Sequence, residues 1–164
     1  MIIRIADYND LHTIDVIYNE AVAMRFKTAD TEPLSWTQRI QWFELHKPDK
    51  YPVFVAEKEN KVVGWISISP YRTGRKALQI TAEISYYVSS AYHRQGIASA
   101  LITHAIDSAS LFGFKNIFAI VIDQNIESIT LLQKFNFQQW GHLPDIALFE
   151  DQTCGQVYYG INLK

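Results

Sequence analysis

The strongest constraint on the fold lies between Leu78 and Ala109. From Leu78 to Val88 the sequence alternates. Ile80, Ala82, Ile84, Tyr86 and Val88 take one face, and Thr81, Glu83, Ser85 and Tyr87 take the other, the period of a half-buried strand. After HRQGIAS (His93–Ser99) the period changes. Ile97, Ala98, Leu101, Ile102, Ala105, Ile106 and Ala109 recur at helical spacing, and the helix is expected to stop near Gly113. A strand that bends through small residues into a helix leaves first-turn amides without intrahelical partners. With the positive end of the helix dipole, those amides suit phosphate oxygens. Gly96 allows a close approach or an unusual backbone angle, Ala98 leaves the amides uncovered, and Arg94 adds a formal charge. A plain tight turn fits the same residues. Two phosphate-binding signatures fit poorly: no lysine-serine or lysine-threonine pair follows, and the GxGxxG fingerprint is incomplete.

The rest of the chain supplies strands and helices without strict alternation. Ile2–Ala6 fits a strand, and Asp7 with Asp10 is a weak capping signal before a helix carrying Leu11, Ile14, Val16, Ile17, Ala21 and Val22. Arg25–Leu34 loses that period and contains Pro33, so it reads as a loop. Ser35 with Gln38 caps a second helix through Trp36, Ile40, Trp42 and Phe43 to about His46, and Pro48 and Pro52 close it. Val53–Glu57 and Val62–Ser69 form a hairpin around KENK, and SPYRTGRK (Ser69–Lys76) is a loop. Asn116–Ile122 is a strand, Asn125 can cap a helix running to about Phe135, and Asn136 can end it. Phe137–His142 and Gln156–Leu163 are the last strands. The fold expected is α/β, one domain over residues 1–164. Its sheet is mixed and mostly antiparallel, with about seven strands and about four helices.

Composition narrows the setting. The 164 residues are 48% apolar, enough to fill one core, and the net charge of -2 gives no nucleic-acid surface. Cys154 is the only cysteine, so no internal disulfide forms, and no histidine lies near it in sequence to suggest acyl-cysteine chemistry. No run suits a signal peptide or a membrane span, so a cytoplasmic protein without a membrane partner is expected. The histidines at 12, 46, 93, 104 and 142 show no metal-ligand spacing, and no metal is expected.

EISYYVSSAYHRQGIASALITHAI, followed by Asn125 and Ser128, resembles the acyl-CoA site of the GNAT superfamily of N-acetyltransferases. The superfamily pattern is Gln or Arg, two residues, Gly, one residue, then Gly or Ala. His93 departs from it, while Gly96 and Ala98 match. The resemblance implies that the turn binds the coenzyme A pyrophosphate through His93, Arg94, Gln95, Gly96, Ile97, Ala98 and Ser99. It also implies that the strand before the turn splays away from its neighbour, so that Tyr86, Tyr87 and Val88 pair with the pantetheine arm. Asn125 serves either as a cofactor contact or simply as a helix cap, and Ser128 and Lys134 are further cofactor candidates. TADTEP (Thr28–Pro33), TAEISYYV (Thr81–Val88), NIESITLLQKFNF (Asn125–Phe137) and WGHLPDIA (Trp140–Ala147) look like the phosphinothricin acetyltransferase-like branch, from Ile3 to Leu163. That implies acetyl-CoA as co-substrate, a small amino-acid-like amine as acceptor, and a homodimer whose interface could use Val157, Tyr158 and Tyr159.

The chemistry needs a proton acceptor, because only a neutral amine attacks a thioester. Glu83 is the candidate, on a strand leading toward the cofactor turn, where partial burial would raise its pKa. A structural pairing with a nearby arginine would also explain it. The family implies the Val88 N–H as donor to the tetrahedral oxyanion. At the position where relatives carry a tyrosine or histidine to protonate the leaving thiolate stands Leu132, which cannot donate. Arg72 and Arg75 form either a clamp for a substrate carboxylate or part of a solvated loop. Phe26, Thr28, Glu32 and Ser85 are candidates for the acceptor pocket. A non-catalytic acyl-CoA-binding module, favoured by Leu132, and a peptide or protein acetyltransferase are the alternatives.

Overall fold

In the computed structural model, which describes residues 1–163, strands and helices follow the expected order. They are β1 (Ile2–Ile5), α1 (Leu11–Ala23), α2 (Trp36–Leu45), β2 (Val53–Lys58), β3 (Lys61–Pro70), β4 (Thr81–Val88), α3 (Ile97–Leu111), β5 (Asn116–Ile122), α4 (Ile126–Lys134), β6 (Gln138–Phe149) and β7 (Gln152–Asn162). Local chemistry sets several boundaries. Asp7 and Asp10 close a capping box on a short 3-10 turn that leads into α1. Ser35 and Gln38 form a second one at the start of α2. Glu59 and Asn60 both have positive φ, the two-residue turn that matches the twist of a hairpin. Asn136 follows α4 at φ 62, the left-handed stop.

The strands form one seven-stranded sheet in the order β1-β2-β3-β4-β5-β7-β6. Every pair is antiparallel except β4 with β5, which is parallel. Helices cover both faces. Ile66, Ile68, Ala82 and Ile84 pack with Leu101, Ile102 and Ala105 of α3 and Leu132 of α4. On the opposite face Val53, Val55 and Trp65 pack with Ile14, Ile17 and Tyr18 of α1, and Trp42 and Phe43 of α2 lie against them. Trp65 donates its indole N–H to the Ile14 carbonyl at 3.1 Å, which ties α1 to the sheet. Arg39 is buried on this face, bound to Asp15 at 2.8 Å and set over the rings of Tyr18 and Trp42.

Four local expectations are corrected. The alternating strand begins at Thr81 rather than Leu78, with a 3-10 turn at Lys76–Leu78. Ile80 is exposed, and its carbonyl accepts the amides of Lys115 and Asn116 instead of continuing the strand. Val16 faces solvent, because α1 buries Leu11, Ile14, Ile17 and Tyr18. The last two strands are longer than expected and form one hairpin. An irregularity between Leu143 and Ala147, with Asp145 at positive φ, breaks the alternation that would have shown it. Val157 and Tyr159, expected at an interface, are buried in this chain's own core.

Candidate active site

The site arises where the sheet fails to stay closed. β4 and β5 pair only over Thr81–Glu83 and Asn116–Phe118, at one end. Beyond Glu83 the strands separate, and a cleft of about 710 Å³ opens between them. The phase of the β3–β4 ladder shows what this exposes. The Ser89 amide donates to the Val63 carbonyl at 2.9 Å, so Val63 and Ser89 face each other as a hydrogen-bonded pair. Such pairs recur at every second residue of an antiparallel ladder. In this register they are Trp65 with Tyr87, Ser67 with Ser85 and Ser69 with Glu83. The backbone groups of Ile84, Tyr86 and Val88 therefore point away from β3, toward the side where β5 has parted from β4. The His93 ring, through Nε2, caps the Val88 carbonyl at 2.9 Å. Buried amides and carbonyls rarely go without partners, so this open stretch of backbone suits an extended amide-bearing chain.

The turn forms one end of the cleft. Arg94 has φ 60 and Gly96 has φ 80, so the chain passes through left-handed geometry twice before α3 begins. A Cβ on Gly96 would meet nothing within 4 Å, so glycine is needed for its backbone angle and not for packing space. His93, Arg94, Gly96, Ile97, Ala98 and Ser99 line the cleft, as do Asn125, Ser128 and Lys134 from the α4 side. Gln95 does not. Its amide oxygen accepts from Lys58 Nζ at 2.8 Å and its amide nitrogen donates to the Ala91 carbonyl at 3.4 Å. Asn125 does cap α4, accepting from the Ser128 amide at 3.4 Å, yet it still lines the cleft.

Glu83, Ser85, Tyr86, Tyr87 and Val88 also line the cleft. Glu83 is half-buried, and burial pushes its carboxyl above the usual carboxylate range. No ion pair holds it among the described residues, so the arginine pairing weighed from sequence is not found. Burial also raises the Tyr86 phenol to about 12, opposed by its bond to Ser128. Tyr87 turns to the α1 face, 4.9 Å from the ring centroids of both Tyr18 and Trp65. Cys154 is buried outside the cleft, and burial raises its thiol.

Of the acceptor candidates, Thr28 and Ser85 reach the cleft. Phe26 does not, since it packs edge-on against Phe149 at 5.1 Å. Glu32, Arg72 and Arg75 are exposed and lie outside the lining, and Arg72 instead sits over the Tyr71 ring at 5.6 Å. Leu132 is wholly buried in the core, on the side of α4 away from the cleft. Sequence reasoning missed Glu20, Lys27 and Glu127. The Glu20 carboxylate accepts from the Ser90 amide at 2.6 Å and the Ser89 hydroxyl at 3.3 Å, bracing the end of β4. Lys27 Nζ reaches Glu127 at 2.5 Å and Asn125 at 3.2 Å, tying the loop after α1 to the start of α4. These partners lie 69 to 100 residues apart, beyond any local pattern.

The acetyltransferase (GNAT) family matches residues 14–137. A Bacillus subtilis protein provisionally named a phosphinothricin acetyltransferase is 38% identical over 90% of each chain. The L-methionine sulfoximine/L-methionine sulfone acetyltransferase of Salmonella typhimurium is 30% identical, over 90% of this chain and 86% of its own. The crystal structure of a phosphinothricin acetyltransferase from Sinorhizobium meliloti, solved in complex with acetyl-CoA, superposes with a TM-score of 0.92 at 25% identity, covering 99% of this chain and 88% of its own. The chain belongs to the GNAT family and is an acetyl-CoA-dependent N-acetyltransferase. Within that family it is a phosphinothricin acetyltransferase-like protein.

Proposed function

We propose that the protein transfers the acetyl group of acetyl-CoA to the amino group of a small amino-acid-like acceptor of the phosphinothricin or methionine sulfoximine type. Transfer is direct, within a ternary complex. One observation carries the reading: the Glu83 carboxylate and the open backbone of Tyr86 and Val88 lie on one strand and face one cleft. The amides at Gly96–Ser99 hold the diphosphate, with Arg94 supplying charge. The pantetheine arm runs along β4 as an extra strand would. Glu83 takes a proton from the acceptor ammonium, directly or through water. The Val88 N–H donates to the oxygen of the thioester carbonyl as it gains charge. Most of the rate then comes from holding amine and thioester together.

Thr28 and Ser85 supply polar lining on the acceptor side. If the protein is a homodimer, its interface is the outer face of β6, where Trp140, Leu143, Ile146 and Leu148 stand exposed on an edge strand. The test is free-thiol release from acetyl-CoA over a panel of amino acids, amino-acid analogues, simple amines and peptides, with each product checked by mass. N-acetylation of the small amino acids or analogues is expected. Turnover confined to peptides would refute the acceptor class.

A further inference from the structure

Expulsion of coenzyme A leaves negative charge on sulfur within the cleft. Position 132, on α4, offers no donor, because Leu132 is apolar and faces the core. A different hydroxyl lies at hand. The side chain of Tyr86 leaves β4 on the α4 side and lines the cleft, with its Oη 2.5 Å from Ser128 Oγ in the first turn of α4. We propose that the Tyr86 hydroxyl is the hydrogen-bond donor to the departing sulfur, supplied from the cofactor strand in place of a group on α4. This rests on the acetyl-transfer reading above.

The geometry favours Tyr86 over its neighbours on β4 and over Thr28. Tyr87 is its neighbour but projects from the opposite face, into the packing around Trp65. Ser85 and Thr28 also belong to the Glu83 side, where the amine must approach. Tyr86 lies two residues from Val88 along β4, about 7 Å at the rise of an extended strand. A carbonyl oxygen bound at the Val88 amide has its sulfur one carbon away, within the span of a phenol ring. Ser128 fixes the direction of that ring, and the α4 N-terminus beside it favours negative charge.

The bonds balance without a new reactant. Glu83 takes one proton from the acceptor ammonium, the neutral amine nitrogen bonds to the carbonyl carbon, and the second proton that this nitrogen must then lose passes to water. The C–S bond breaks, and its electron pair stays on sulfur. Tyr86 donates a hydrogen bond to that thiolate and keeps its own proton. A phenol at about 12 does not surrender a proton to a thiolate whose parent thiol is near 8.5, so the thiolate takes its proton from water. Such a bond acts on charge that exists only late in the reaction, which lowers the barrier and not the ground state.

The experiment compares wild type with Tyr86→Phe in two measurements. The first is kcat with acetyl-CoA and whichever acceptor the panel yields. The second needs no acceptor: the ultraviolet absorbance of the thiolate of bound, unacetylated coenzyme A, titrated against pH. A hydrogen bond to a charged group is worth about 10- to 100-fold, so kcat should fall by that factor while calorimetric acetyl-CoA affinity stays within about twofold. The thiol of bound coenzyme A should titrate about one unit or more higher in the variant. Ser128→Ala, which leaves Tyr86 its hydroxyl but not its anchor, should give a smaller change of the same sign in both. An unchanged kcat or an unchanged thiol titration in a Tyr86→Phe protein that binds the cofactor overturns the proposal. If no amine in the panel is acetylated, the acceptor reading fails, and the titration alone still decides Tyr86.

Discussion

Replacing Glu83 by glutamine tests the proton acceptor while preserving size and hydrogen-bonding reach. General-base losses commonly run from about 100- to 10,000-fold. Two features of the site bring the expectation to the lower half of that range, roughly 100- to 1,000-fold. The cleft is open, so water can take part of the proton's path, and no ion pair among the described residues makes Glu83 a structural strut. Acetyl-CoA affinity should stay unchanged, since Glu83 lies beyond the stretch of β4 that faces the cofactor arm. Burial raises the Glu83 pKa, so the rising limb of kcat/KM against pH should lie above the ordinary carboxylate range and vanish in the variant. The same shift has a stability consequence. Between its unfolded and folded pKa values the folded chain binds more protons at Glu83 than the unfolded chain. Stability is therefore lost as pH rises through that window, and Glu83→Gln removes the loss. The variant should melt at an equal or higher temperature at neutral pH and match wild type only at acid pH. Steady-state rates from about pH 4 to about pH 10 and thermal melts across the acid range check both. Full turnover at neutral pH, or a lower melting temperature there, would refute the assignment.

Gly96→Val should cost about 1–2 kcal/mol, because φ 80 is a left-handed angle that a β-branched residue resists. It should also weaken acetyl-CoA binding by tilting the amides of the turn; calorimetry on the folded variant reads the second effect and denaturant melts the first. Arg39→Ala should cost about 2–5 kcal/mol by emptying a buried site beneath the Tyr18 and Trp42 rings and removing the charged partner of the partly buried Asp15, measured by urea unfolding.

Much of this protein was legible one residue at a time. The alternation ending at Val88, the left-handed glycine at 96 and the helical period after it are local properties. Each follows from side-chain direction or backbone sterics that a few neighbours determine. The capping boxes at Asp7 and Ser35 and the cap at Asn125 were readable for the same reason. What the sequence could not settle was which surface each side chain meets. Arg72 and Arg75 carry the right charge for a carboxylate, but their loop leaves them in solvent outside the cleft. Gln95 sits inside the motif and turns away to Lys58. Val157 and Tyr159 look like surface aromatics and apolars, yet β5 and β6 flank their strand and the core covers them. The bridge from Lys27 to Glu127 and the meeting of Tyr86 with Ser128 join elements distant in the chain. Their existence depends on how far β4 and β5 diverge, and that divergence is a balance of packing on both faces of the sheet. No short segment encodes it; only the folded chain brings those groups within a hydrogen bond of one another.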